Sequence, residues 1–184
     1  LVRPAHSLTA QLAAIGLAPA DVAMVALSHL HADHTGHLKL FAHAPVFIQR
    51  REHAFGFGFP KERPPLGWIP EDYDLPGLDW RLLDGDYDLL PGLALVSTPG
   101  HTAGHQSAVV TLPSGRRKVL TFDAGDFLAN FKEELLPGAA WSDEDALASI
   151  RRLKRLAEEP DSELFPLHDP EFVQRARLAP DFYD

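Results

Sequence analysis

The chain has 184 residues, 45% hydrophobic and 23% charged, the make-up of a soluble globular protein rather than a disordered, collagenous or disulfide-stapled one. Seventeen lysines and arginines against 26 acidic residues leave a net charge of −9, so nucleic-acid phosphates would meet repulsion and no nucleic-acid partner is expected. The absence of cysteine removes disulfides, thiolate nucleophiles and sulfur-ligated zinc; imidazole and carboxylate remain as metal ligands, and ten histidines are present.

The chain opens at Leu1 and its sole methionine is Met24, which points to a start other than the native one. Residues 8–20 form an apolar stretch shorter than the roughly 18 residues of a membrane span. Gln11, Gly16 and Pro19 break it, and Arg3 alone makes a poor positive start for a secretory leader. A cytoplasmic chain with no membrane partner is expected. Ser7 caps a first helix with a stripe of Leu8, Leu12, Ile15 and Leu17, stopping near Gly16. Residues 22–27 are continuously apolar, the pattern of a strand buried on both faces.

Strands are predicted over 45–49, 86–90 and 93–97, and over 107–112 and 118–122 as a hairpin across Pro113-Ser114-Gly115. Residues 53–80 carry Phe55, Phe57, Phe59, Trp68 and Trp80 among prolines and glycines, an excursion of loop or short helix over an apolar cleft. Ser142 starts a clear helix with Asp143, Glu144 and Asp145 at its positive end and Leu147, Ile150, Leu153 and Leu156 on its apolar face, ending before Pro160. Strands interleaved with covering helices give a layered α/β or α+β fold, and no linker divides residues 1–184, read as a single domain.

Ser28-His29-Leu30-His31-Ala32-Asp33-His34 follows directly on the apolar run. At this chain's own composition the HxHxDH arrangement arises by chance about 0.003 times, so coincidence is rejected. Alternation at the strand end sends His29 and His31 to one side, and the turn presents Asp33 and His34 in another direction. One loop thus serves two neighbouring metal ions. His37, one turn on, is expected to back the ligands or lie at the surface. A second block, Thr98-Pro99-Gly100-His101-Thr102-Ala103-Gly104-His105, offers His101 as third imidazole for the first metal and His105 as an orienting or structural residue. Asp123 ends the run 119–122, where a carboxylate needs partners or ions unless it is an ordinary turn residue, the better reading for it alone; His168 ends the stretch 164–167 in the same way.

HLHADH, TPGHTAGHQS, the FDAGD segment and the LHDPEF segment, in this order, resemble the metallo-β-lactamase superfamily, and within it most closely the metal-dependent N-acyl homoserine lactonases. The resemblance covers nearly the whole chain. It implies an αβ/βα sandwich, with the N-terminal strands of the first sheet lacking here, so that the domain is N-terminally incomplete. It also implies His29, His31 and His101 on one metal, Asp33, His34 and His168 on the other, and Asp123 bridging. Zn²⁺ suits these ligands best, with Fe, Mn or Co alternatives. The related flavodiiron oxygen reductases carry glutamate at the second motif position, so His31 favours hydrolysis. Lactonases place a tyrosine three residues after the bridging aspartate; here Asp126 stands there, facing ligands or substrate, and an ionised carboxylate cannot donate a hydrogen bond.

The expected activity is hydrolytic opening of a lactone by a hydroxide that the two metals activate, with Asp33 or Asp123 handling the proton. The aromatic segment 53–80 holds an acyl chain or simply packs as core and lid. Two competitors stay open: a hydrolase of the same superfamily acting on a thioester, aryl ester, phosphoester or β-lactam, and a catalytically weak metal-binding module. An incomplete sheet leaves an edge that a second copy of the chain can pair with, so homo-oligomerisation stays open too.

Overall fold

A computed structural model describes residues 7–184; Leu1 and Arg3, on which the reading of the chain's start rests, lie outside them. Helix α1 (Leu8–Ala14) begins where Ser7 accepts a hydrogen bond from the Ala10 amide and ends before Gly16, whose φ of +77° suits glycine. Strand β1 (Val25–Ala26) follows, then α2 (Ala32–Thr35), β2 (Val46–Gln49) and α3 (Arg50–Gly56). After α4 (Pro70–Tyr73) comes β3 (Trp80–Leu83), then β4 (Tyr87–Leu90), β5 (Leu93–Ser97), β6 (Gln106–Thr111) and β7 (Arg117–Leu120). Helices α5 (Leu128–Glu133) and α6 (Asp143–Ala157), strand β8 (Ser162–Phe165) and helix α7 (Pro170–Arg175) complete the described residues. None of these helices is long and apolar enough to cross a membrane.

The strands form two sheets, a parallel β1-β2-β3 and a mixed β4-β5-β6-β7-β8 in which only β7 and β8 are parallel. Strand alternation divides the core into layers. Phe47, Leu83, Leu95, Ala108 and Leu120 meet between the sheets. Val96, Val109 and Val119 face the other way, onto Phe131, Ile150 and Leu153 of α5 and α6. On the far side Val46 and Ile48 pack with Leu30, Leu38, Trp68 and Tyr73. The result is the helix–sheet–sheet–helix sandwich that the resemblance implies.

Two elements depart from the sequence reading. The apolar run 22–27 yields only the two-residue β1, with Val25 half-buried and Ala26 exposed. Among the described residues it pairs with β2 alone, and burial on both faces is seen instead in β6, flanked by β5 and β7. The excursion 53–80 holds the short helix α4, in line with that reading, but ends at the start of β3, which was not expected. Its aromatics are mostly core: Trp68 and Tyr73 are buried, and Phe55 and Phe59 pack against them.

A buried amide network joins the sheets at one end. Gln49 donates to Gln106 Oε1 at 2.9 Å, and Gln106 donates to the Leu27 carbonyl at 2.7 Å. That end carries the histidine loops.

Candidate metal centre

The β1–α2 loop runs inward, burying His29 at 0% exposure, and His31 occupies the N-cap position of α2 in extended conformation. One helical turn then carries Asp33 and His34. On the opposite side the β5–β6 loop turns at Gly100, with φ of +138°, so close to α6 that a Cβ there would stand 2.2 Å from the Ala146 nitrogen. The Gly100 carbonyl accepts from the Trp141 and Ser142 amides, which fixes the loop to the start of α6. His101 Nδ1 donates to the Ala139 carbonyl at 2.9 Å, leaving Nε2 as a bare donor atom aimed inward.

The two loops, the turn after β7 and the turn after β8 converge. His29, His31, His101 and Asp123 form one group of potential ligands; Asp33, His34, Asp123 and His168 form the other. His31 Nδ1 lies 3.0 Å from His29 Nε2 and 3.1 Å from His101 Nε2. Zn–N bonds of 2.0–2.1 Å in a tetrahedron give an edge of about 3.3–3.4 Å, so the nitrogens sit near the spacing that one shared cation imposes.

Asp123 presents one oxygen to each group. Its Oδ2 is 3.4 Å from His101 Nε2 and 3.7 Å from His29 Nε2; its Oδ1 is 3.3 Å from both His34 Nε2 and His168 Nε2. Among the described residues, Asp123 Oδ1 is the one buried side-chain nitrogen or oxygen with no hydrogen bond of good geometry. A buried carboxylate oxygen left in that state fits a cation as its partner. Asp33 is the most open member, its Oδ2 3.5 Å from His34 Nε2 and 3.9 Å from His168 Nε2.

The protonation states of His29, His31 and Asp123 suit ligation, while that of His34 leans the other way. Burial lowers His29 far below the ordinary imidazole value, with neighbouring histidines adding to the effect; burial and His101 bring His31 down to about 4. Burial also opposes charge on His34, but its contact with Asp123 and the charges of Asp123 and Asp33 win and raise it. For Asp123 burial pushes upward, yet His34, His101 and His168 hold it down at about 2. Neutral imidazoles and ionised carboxylate are the ligating forms.

Of the remaining candidates, His37 stands exposed outside both groups. His105 lies fully buried, its Nδ1 against Thr98 Oγ1 (2.9 Å) and the Thr98 carbonyl (3.1 Å), while Nε2 accepts the Asp123 amide at 3.2 Å. It therefore orients the Asp123 backbone, and burial brings it down to about 3. Asp126 accepts the Gly138 amide at 2.9 Å and so holds the segment whose Ala139 carbonyl anchors His101.

Two residues escaped the sequence reading. Ser28 Oγ lies 3.1 Å from Nδ1 of both His29 and His34, one hydroxyl shared by a histidine of each group. Its place immediately before HxHxDH was the available signal. Glu52, fully buried on α3, reaches both histidine loops; nothing in the charged run Arg50-Arg51-Glu52 announces it.

Two sheets covered by helices, with a histidine- and aspartate-lined cluster across one end, define a metal-dependent hydrolase of the sandwich type. The chain belongs to the metallo-beta-lactamase superfamily, whose family model matches residues 2–168. It is similar to the N-acyl homoserine lactonase AttM of Azorhizobium caulinodans, 38% identical over 190 residues, covering the whole chain and 72% of that protein. AttM of Agrobacterium fabrum is 40% identical over 179 residues, covering 94% of this chain and 68% of its own length. Among solved structures, an N-acyl homoserine lactone hydrolase with N-hexanoyl-L-homoserine bound at its catalytic metal centre superposes with a TM-score of 0.86 at 31% identity. That match covers 99% of this chain and 70% of the other.

Proposed function

We propose that this chain opens the lactone ring of N-acyl homoserine lactones at a centre of two divalent cations, Zn²⁺ being the ion its nitrogen and oxygen donors suit best. In this reading His29, His31 and His101 hold one cation, Asp33, His34 and His168 the other, and Asp123 both. The observation that carries it is the Asp123 carboxylate, with one oxygen toward each group and Oδ1 otherwise unpartnered. The names of the AttM relatives support the substrate class.

Bound cations supply Lewis acidity for the ester carbonyl and bring the pKa of a shared water toward neutrality. The chain's own residues do the rest. Hydrolysis adds water across the acyl C–O bond, so the proton that water loses must reach the departing ring oxygen. Asp33 is placed to carry it, being the most solvent-open carboxylate of the cluster and in contact with His34. Trp68 stands edge-on to His31 at 5.0 Å, and Phe55 links it to the half-exposed Trp141. Trp68 is buried behind this rim, and Trp141 is the part of it that offers an apolar surface to an acyl chain.

The test is ring opening of N-hexanoyl homoserine lactone by Zn²⁺-loaded protein, followed by proton release, beside an aryl ester, a thioester, a phosphoester and a β-lactam. Preferred lactone turnover that chelation abolishes is expected. Full metal content with no lactone turnover defeats the reading. Asp126 in the tyrosine position favours a second reading, a superfamily hydrolase with another of these substrates, which the same panel identifies.

A further inference from the structure

Glu52 is a buried carboxylate that the reaction does not use. It is 0% exposed, and no lysine, arginine or histidine pairs with it among the described residues; Arg51 beside it turns to Asp145 instead. Its three hydrogen bonds all come from the histidine loops. Oε1 accepts the Leu30 amide at 3.1 Å, between His29 and His31. Oε2 accepts Thr102 Oγ1 at 2.7 Å and the Gly104 amide at 2.8 Å, both between His101 and His105.

The approach is close by design of the backbone. A Cβ on Gly104 would stand 2.2 Å from the Glu52 nitrogen, so glycine there is what lets α3 reach the loop. A buried carboxylate without a counter-charge is costly, and an apolar side chain would fill the same space at less cost. Three donors on one side chain, spanning two loops, give it a purpose beyond filling space.

Resting on the two-cation reading above, we propose that Glu52 is a positioning residue for the metal centre. Its carboxylate straps the β1–α2 loop to the β5–β6 loop and thereby sets the spacing of the His29, His31 and His101 nitrogens.

Glu52→Gln keeps the size but turns an amide NH₂ toward at least one of the three donors. The expected result is a folded protein by far-ultraviolet circular dichroism whose Kd for Zn²⁺ is weaker by about 10–100-fold. The visible spectrum of the Co²⁺-substituted form shifts with it. A role in packing alone lowers the melting temperature of metal-free protein but leaves Kd and spectrum unchanged, and that result overturns the proposal. Should Glu52→Gln not fold, Thr102→Val decides, since it removes one donor and keeps the carboxylate. There a weakening of about threefold or more is expected for one lost charge-assisted hydrogen bond, and an unchanged Kd overturns the proposal. If the unsubstituted chain takes up no Zn²⁺, the functional reading fails and this inference with it; normal uptake with an indifferent Glu52→Gln sinks this inference alone.

Discussion

Ser28→Ala separates a shared support from two independent ones. The Ser28 hydroxyl is 6% exposed at the residue level and sits 3.1 Å from Nδ1 of His29 and of His34. With both rings turned to present Nε2 to the cluster, each Nδ1–H donates to that oxygen. Alanine strands both donors. One unsatisfied buried donor costs about 1–3 kcal/mol; His29 is wholly buried and His34 keeps some exposure, its side chain at 18%. The sum is about 2–4 kcal/mol if His34 sits at the low end of that range. At about 1.4 kcal/mol per tenfold, this is a loss of roughly 30- to 700-fold in the combined Zn²⁺ affinity. The assay is calorimetric titration of metal-free protein with Zn²⁺, resolving two uptake steps. Because one hydroxyl serves a ring in each group, both steps weaken together. Weakening of one step with the other untouched refutes the shared-acceptor reasoning.

Acidifying the metal-free protein destabilises it between about pH 6.5 and 4, because unfolded histidines take up protons near the ordinary imidazole value that buried His29, His31 and His105 refuse. His105 and His29 each contribute up to about 1.4 kcal/mol per pH unit, the more open His31 less, and the raised His34 offsets part of the total. Asp123, held low, adds stability that is present above about pH 4 and is lost as the pH falls toward 2. Urea midpoints measured with chelator at pH 7, 6 and 5 should fall steadily; a flat or rising series contradicts the burial argument. At Asp126, asparagine retains an oxygen for the Gly138 amide, so Asp126→Asn should hold kcat/KM within about threefold, whereas Asp126→Ala should lose about tenfold by freeing the segment that anchors His101. Equal losses in the two variants would show that the charge itself matters.

Local sequence singled out the histidines that meet, and the family resemblance added Asp123 and the division of the full ligand set into two groups. HxHxDH combines strand-end alternation with one helical turn, and those two periodicities alone send His29 and His31 one way and Asp33 and His34 another. His101, Asp123 and His168 stand at the ends of apolar runs, so each emerges at the same rim of the sheets. The α6 helix was legible from its cap and stripe, since Ser142 does accept the Asp145 amide. Of the apolar run 22–27 only Val25 and Ala26 form a strand among the described residues, and β3 was hidden because only pairing with β2 makes that segment a strand.

What packing alone decided is which polar groups lost their water. Glu52 lies 50 residues from Thr102, His101 pairs with a carbonyl 38 residues away, and the hydroxyl of Ser28 becomes a common acceptor only when a turn of helix folds His34 back onto it. A motif states which atoms are able to donate or accept. Desolvation by distant chain segments determines which of them must find one another, and no local periodicity carries that information.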